Sequence, residues 1–236
     1  MRIDRHDWRF QSLLGGYGGR PMAEDESDIT FDAEPGRKAA ELYARFAAEG
    51  GMKSYNDDQA RQAYPAGTLG IMMDSSSLLK RFTEAAGESF PVTVVRLPVP
   101  EPENAYFPTG GSGIVMLTED AGTQTAAREY ISFFTGPEGH KIIIIVENTG
   151  YAPTNALVLE DESYLGAYYE ANPNARTAHE QVAEFAGPWY AYPGAEGVAV
   201  TDLIAAALVE IAEGDTAPGP RIEALADTQR DCLGMN

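Results

Sequence analysis

One cysteine, three histidines and 17 basic residues are all that this 236-residue chain holds of those types. The lone cysteine, Cys232, excludes an internal disulfide and any cysteine-rich metal cluster. The histidines, His6, His140 and His179, share no ligand spacing, so the sequence offers no metal site. Against the 17 basic residues stand 36 acidic ones, for a net charge of −19. Nucleic acids and anionic membrane surfaces both need a basic footprint, so this balance speaks against either as a partner. It suits solubility or life in salt. Long apolar runs are missing too. The longest aliphatic run, Ile142–Val146, is far short of the roughly 18 residues a membrane span requires. Met1–Asp7 is polar and charged, unlike a secretory signal. The expectation from that alone is a cytosolic protein, or one whose true start lies elsewhere.

What is present reads as globular. Apolar residues make up 44% and charged residues 22%, enough to build a core in one large or two small domains. The chain is organised around Leu97–Leu117, LPVPEPENAYFPTGGSGIVML, which starts as a proline-punctuated extended run. It passes through the turn Gly110-Gly111-Ser112-Gly113 and ends in a short apolar strand, Ile114–Leu117. Such a segment reads as a crossing between two lobes. Helical periodicity predicts helices over Trp8–Leu14, Pro35–Glu49, Asp57–Tyr64, Leu78–Ala86, Thr123–Phe134, Glu162–Ala171, Ala175–Phe185, Val198–Glu213 and Arg221–Leu233. Strands are expected at Thr68–Met73 and Pro91–Val95. Pro137 restarts a helix that carries Ile142–Val146, against the strand preference of five β-branched residues.

Catalytic patterns do not emerge. Gly-Gly-Ser-Gly-Ile at residues 110–114 lacks the second glycine of a nucleophile elbow, and no Lys-Ser/Thr pair makes it a phosphate loop. Ser75–Ser77 has no neighbouring base to activate it; capping the next helix and contacting a ligand are equally open roles. No general acid stands out among so many carboxylates, and no pattern calls for a cofactor. Uncharged hydrogen-bonding groups and aromatics do gather at element ends: Trp8, Tyr17, Ser75, Ser76, Gly110, Gly111 and Tyr151. Tyr17 sits between two glycine pairs, as a ring presented on flexible backbone. Ring faces stack on C–H surfaces while hydroxyl and N–H groups fix a pattern of OH groups, which suits a sugar or polyol.

The order of these pieces resembles the extracellular solute-binding proteins of ABC importers, in the branch that binds sugars and glycerol-phosphate compounds. Residues 63–77, AYPAGTLGIMMDSSS, follow an amphipathic helix as the family's "aF..Gk.aM...g.s" signature does. Val94–Pro100 is similar to its hinge strand, Thr109–Met116 to its "ggG..l.i" strand, and Ala126–Glu138 to the helices that follow. Thr149–Pro153 matches its "tGy.P" turn, and Tyr168–Pro173 resembles a "fy..nP" element. The likeness implies a two-lobe α/β fold of the periplasmic-binding-protein type, helix-rich, with the N-terminal lobe incomplete. Residues 1–96 and 154–236 would form the C-terminal lobe, and residues 97–153 part of the N-terminal lobe, with a hinge near 97–100. The chain would then be the later two-thirds of such a protein, without its signal peptide and working outside the cytoplasm.

The resemblance also implies ligand contacts, all in an interlobe cleft. Trp8 and Tyr17 fall where the branch places aromatics, Ser75 and Ser76 in a serine-rich turn, Gly110 and Gly111 at a turn offering backbone N–H groups, and Tyr151 in the "tGy.P" turn. It implies a monomer that hands its ligand to membrane permease subunits and catalyses nothing. One departure bears on the ligand. Phosphate-binding members carry an arginine before the penultimate helix, but Thr177–Pro220 here contains no Lys or Arg. A phosphate would lose its bidentate partner, so a neutral sugar or polyol fits better. Two other readings stand beside this one: a carbohydrate-active hydrolase with paired carboxylates, and a truncated piece that binds nothing.

Overall fold

The computed structural model describes residues 1–3, 6–53, 55–110, 113–136, 139 and 150–235. After β1 (Arg2–Ile3), helix α1 (Asp7–Gly16) opens on His6, whose ring accepts from the Trp8 amide. Helix α2 (Glu34–Ala48) has Pro35 in its first turn, where the missing N–H costs nothing. A reciprocal Asn56/Gln59 cap starts α3 (Asp57–Ala63). β2 (Met72–Met73) leads through a 3-10 turn, Ser76–Leu78, into α4 (Leu79–Ala86). β3 (Phe107–Thr109) precedes α5 (Ala121–Thr135), which Asp120 caps. Next come α6 (Ala156–Glu160), α7 (Glu162–Ala171) and α8 (Pro173–Phe185). β4 (Ala186–Pro188), α9 (Gly197–Glu213) and α10 (Pro218–Leu233) complete the chain. Gly214 (φ 79°) and Gly234 (φ 67°) end the last two helices in the left-handed conformation that glycine adopts without steric cost. Among the described residues, no helix is long and apolar enough to cross a membrane.

The chain divides into two compact units. One comprises Met1–Asp74, Leu97–Thr109 and Phe185–Asn236; the other comprises Ser75–Arg96 and Gly110–Glu184. This division differs from the lobes expected at 1–96 with 154–236, and at 97–153. The physical reason is a shared apolar cluster. Val158, Leu165, Tyr169 and Ala175 from α6–α8 pack with Leu79 of α4, which ties residues 154–184 to residues 75–96.

The first unit holds the main core. The apolar stripes of α1, α2, α9 and α10 meet there through Phe10, Leu14, Tyr43, Val200, Ile204, Leu208, Ile222 and Leu225, all essentially buried. Two parallel strand pairs flank these helices: β1 with β2, and β3 with β4. Gly15 and Gly16 are helical residues, not the end of a flexible loop. A Cβ on Gly15 would lie 2.2 Å from the Tyr106 carbonyl oxygen, so the glycine permits close approach of the Leu97–Thr109 crossing. The carbonyls of Gly15 and Gly16 accept from the amides of Tyr106 and Glu101. Tyr17 is accordingly half-buried against the core rather than displayed on a loop tip.

Three strand expectations fall short. Thr68–Met73 shrinks to Met72–Met73. Pro91–Val95 forms no ladder among the described residues; the Asn174 side chain instead accepts from Val94 N and donates to Val92 O, both at 2.8 Å. Ile114–Leu117 forms no ladder among the described residues, and Leu117 is 90% exposed. A strand exists only through the partner that completes its hydrogen bonds, and propensity alone does not supply one. The Ile142–Val146 helix lies outside the described residues.

Candidate functional site

The residues expected to touch a ligand fall in both units, and each unit has its own geometry. In the first, Trp8 and Tyr17 mark opposite ends of α1. Eight residues of helix lie between them, a rise of about 13 Å. Lys38 Nζ sits 5.9 Å from the centre of the Tyr17 ring. Trp8 is fixed differently. Its Nε1 donates to the Pro108 carbonyl at 3.0 Å, and its ring stacks on Trp189 with centroids 5.4 Å apart and planes 8° from parallel.

Beneath that stack lies a polar network. Asp7 is fully buried, and its Oδ2 accepts from Trp189 Nε1 and from Gln11 Nε2, each at 3.0 Å. Its Oδ1 lies 2.6 Å from His6 Nδ1, on a histidine that is itself largely exposed. Gln11, also fully buried, donates to the Tyr190 carbonyl and accepts from the Tyr190 amide through its two side-chain atoms, both at 3.0 Å. The segment after β4 is thus clamped to α1 by side chains one helical turn apart. Burial, then the nearby Asp7 charge, holds the Tyr192 phenol well above the ordinary tyrosine range. Burial also pushes the Tyr106 phenol up to about 12. Both therefore stay neutral at physiological pH.

In the second unit, Ser75 caps the 3-10 turn: its Oγ accepts from Ser77 N and lies 2.9 Å from Ser77 Oγ. Of the two roles left open for this serine, capping is the one its hydrogen bonds describe. Ser76 and Gly150 are neighbours, since a Cβ on Gly150 would lie 3.5 Å from the Ser76 carbonyl. Gly150 has φ 77°, a left-handed conformation suited to glycine, and Tyr151 beside it is 49% exposed. The Gly150 carbonyl is held by His179 Nε2 at 3.3 Å, and His179 Nδ1 meets the Tyr169 hydroxyl at 2.9 Å. The serine turn and the "tGy.P" turn therefore share one locality. Gly110 is exposed, just beyond β3, and Gly111 lies outside the described residues.

This unit also contains a cavity of about 420 Å³ bounded by α6, α7 and α8. Val158, Leu165 and Tyr169 line it together with Glu162, Glu170 and Glu180. None of the residues expected at the ligand site reaches it.

Trp189, Asp7 and Gln11 are the site residues that sequence reasoning passed over. A signal was there: Gly-Pro-Trp-Tyr-Ala-Tyr-Pro at residues 187–193 packs three aromatics between two prolines. Nothing local showed that its tryptophan meets Trp8 from the far end of the chain.

A family model described as bacterial extracellular solute-binding protein matches residues 4–177. No curated protein sequence matches the chain. Among solved structures, the cyclic alpha-maltosyl-1,6-maltose binding protein from Arthrobacter globiformis aligns with TM-score 0.76 and 21% identity, over 96% of this chain and 55% of that one. UgpB from Mycobacterium tuberculosis, in complex with glycerophosphocholine, gives TM-score 0.76 and 22% identity over 98% of this chain and 57% of that one. The GacH receptor of Streptomyces glaucescens, solved unliganded and with acarbose, gives 0.67 and 19% over 98% and 58%. The chain thus spans little more than half the length of the structures it matches.

Proposed function

The chain belongs to the bacterial extracellular solute-binding proteins, and from that premise we propose that it is the substrate-binding component of an ABC importer, capturing a neutral sugar or polyol for uptake. Its fold is the helix-rich, two-lobe α/β fold of periplasmic binding proteins, of which it spans little over half. The observation that carries the proposal is the family match over residues 4–177. The chemistry of the exposed groups supports it: indole and phenol rings, serine hydroxyls and backbone turns, with no Lys or Arg from Thr177 to Pro220 to hold a phosphate. The family is one of binding proteins, and this reading assigns the chain no catalysed step. Ligand binding favours one conformation, and membrane permease subunits outside this chain read it.

Calorimetric titration of the 236-residue chain with maltose, trehalose, glycerol, glycerol 3-phosphate and glycerophosphocholine tests the reading. Heat with a neutral sugar or polyol supports it. Heat with only the phosphorylated compounds moves the ligand to the glycerol-phosphate class. Silence with all five, together with turnover of a chromogenic glycoside, would replace the receptor by a hydrolase.

A further inference from the structure

The cavity of about 420 Å³ bounded by α6, α7 and α8 is lined by none of the residues expected at the sugar site. Its volume falls in the range that accepts a small ligand. Its wall on α7 is a single helical stripe. Glu162, Leu165, Gly166, Tyr169 and Glu170 stand at i, i+3, i+4, i+7 and i+8, so all five share one face. Leu165 and Tyr169 are buried, as is Val158 of α6, which lines the same space. Gly166 brings no side chain to the middle of the stripe. Glu162 and Glu170 are exposed at its two ends. Eight residues separate them, a rise of about 12 Å. The wall is therefore apolar along its length and acidic at both ends.

Charge in the cavity is one-sided. Asp161, Glu162, Glu170, Glu180 and Glu184 line it against Arg176 alone. Arg176 Nε donates to Glu180 Oε1 at 2.7 Å, and Glu184 pairs with Arg96. Asp161 accepts from the Ser163 amide as the cap of α7. The Glu162 and Glu170 carboxylates enter no hydrogen bond or ion pair among the described residues, and Glu162 meets Arg176 only through longer-range attraction. Among the described residues, no group of three acidic or histidine side chains could hold a metal ion, so a compact dication does not answer this pattern. A neutral sugar brings no cation to it. The complement is an occupant with an ammonium at each end and methylenes between. Spermidine, fully extended, is about as long as the two glutamates are apart. We propose that this cavity is a second ligand site, taking a linear aliphatic polyamine whose terminal ammonium groups pair with Glu162 and Glu170 while its methylenes lie on Val158, Leu165 and Tyr169. Burial of those methylenes adds to the charge pairing and sets the site apart from a merely acidic surface. The inference does not rest on the carbohydrate-receptor reading and stands or falls apart from it.

The test titrates the whole chain with spermidine, hexylamine and magnesium chloride at about 0.15 M salt, where long-range attraction is largely screened. Calorimetry records heat and stoichiometry, and methyl NMR follows Val158 and Leu165. The expected result is one equivalent of spermidine with shifted Val158 and Leu165 methyls, weaker binding of hexylamine, and no methyl shift from magnesium. E162Q and E170Q are each expected to weaken spermidine about two- to fivefold, the scale of a partly exposed ion pair. E213Q removes the same charge from the first unit and should leave the affinity unchanged. If E162Q, in the first turn of α7, does not fold by circular dichroism, E170Q decides. Several weak equivalents that E213Q reduces as much as E170Q would show a polycation gathered by the net charge of −19, and would overturn the site. Hexylamine binding as tightly as spermidine would overturn the two-ended pairing. Spermidine without heat, or with heat but unmoved Val158 and Leu165 methyls, would remove the cavity as its place of binding.

Discussion

His179 lies fully buried in the second unit, with Nδ1 on the Tyr169 hydroxyl and Nε2 on the Gly150 carbonyl. A carbonyl only accepts, so Nε2 carries the proton and Nδ1 accepts from Tyr169. Burial lowers the His179 pKa below its ordinary value of 6.5, more than the Gly150 hydrogen bond raises it. The unfolded chain therefore takes up this proton first as pH falls. The folded state has its full His179 contribution above about pH 6.5, and loses it as pH falls below that value through the folded pKa. The thermal midpoint should drop between pH 7 and pH 5, and H179N, though less stable at pH 7, should show a shallower drop. An equal slope in the variant would mean that other groups titrate and His179 does not. The same substitution frees the Gly150 carbonyl, so the backbone next to Tyr151 should exchange its amides faster.

At the scale of elements, the stretch Pro91–Val95 shows how one side chain replaces a strand. Asn174, in the first turn of α8, forms both hydrogen bonds that a neighbouring backbone would have formed with Val92 and Val94. Removing it should cost about 1–2 kcal/mol, two net hydrogen bonds' worth. N174A is expected to lower the free energy of urea unfolding by that amount, with the midpoint falling in proportion, and to speed amide exchange at Val94. Unchanged exchange at Val94 would show that the extended segment is held by other means. The helices of this chain were largely legible beforehand. Pro35–Glu49, Val198–Glu213 and Glu162–Ala171 were expected within a residue or so of where they stand, because their hydrogen bonds close within four residues. The strands were not, because Phe107–Thr109 finds its partner at Ala186–Pro188, far along the chain. Gly15 shows the same limit. It reads as a helix stop from its neighbours, and as a close-approach residue only beside Tyr106.

Across the whole molecule, apolar surface is unevenly covered. Val115 is 75% exposed and Leu117 90%, and on α5 Tyr130 is 59% and Phe133 52% exposed. That helix buries no residue, although its sequence shows an apolar face. An exposed apolar segment with no ladder partner among the described residues is prone to edge pairing with another copy. The chain is therefore expected to self-associate as its concentration rises and to bind a hydrophobic dye. The double variant V115T/L117K should reduce both, with the circular dichroism spectrum unchanged. A single monomeric species across the concentration range of an ultracentrifugation series, without dye binding, would sink this expectation. The net charge of −19 works against association at low salt, so the effect should strengthen as salt screens the repulsion.

The amino-acid sequence by itself determined the helices, the acidic balance and the short motifs in order from residue 63 to residue 173, through which the resemblance to solute-binding proteins was legible. These are properties of neighbours along the chain, and neighbours alone decide them. Tertiary structure decided the rest. It made Ser75 a cap, set the serine turn against Gly150, assigned residues 154–184 to the second unit, and gave Ile114–Leu117 no ladder among the described residues. Above all it laid Trp189 on Trp8 and set Asp7 behind them. A stack or a strand pair is completed by groups distant in sequence, and nothing near Trp8 records that its partner lies at the other end of the chain.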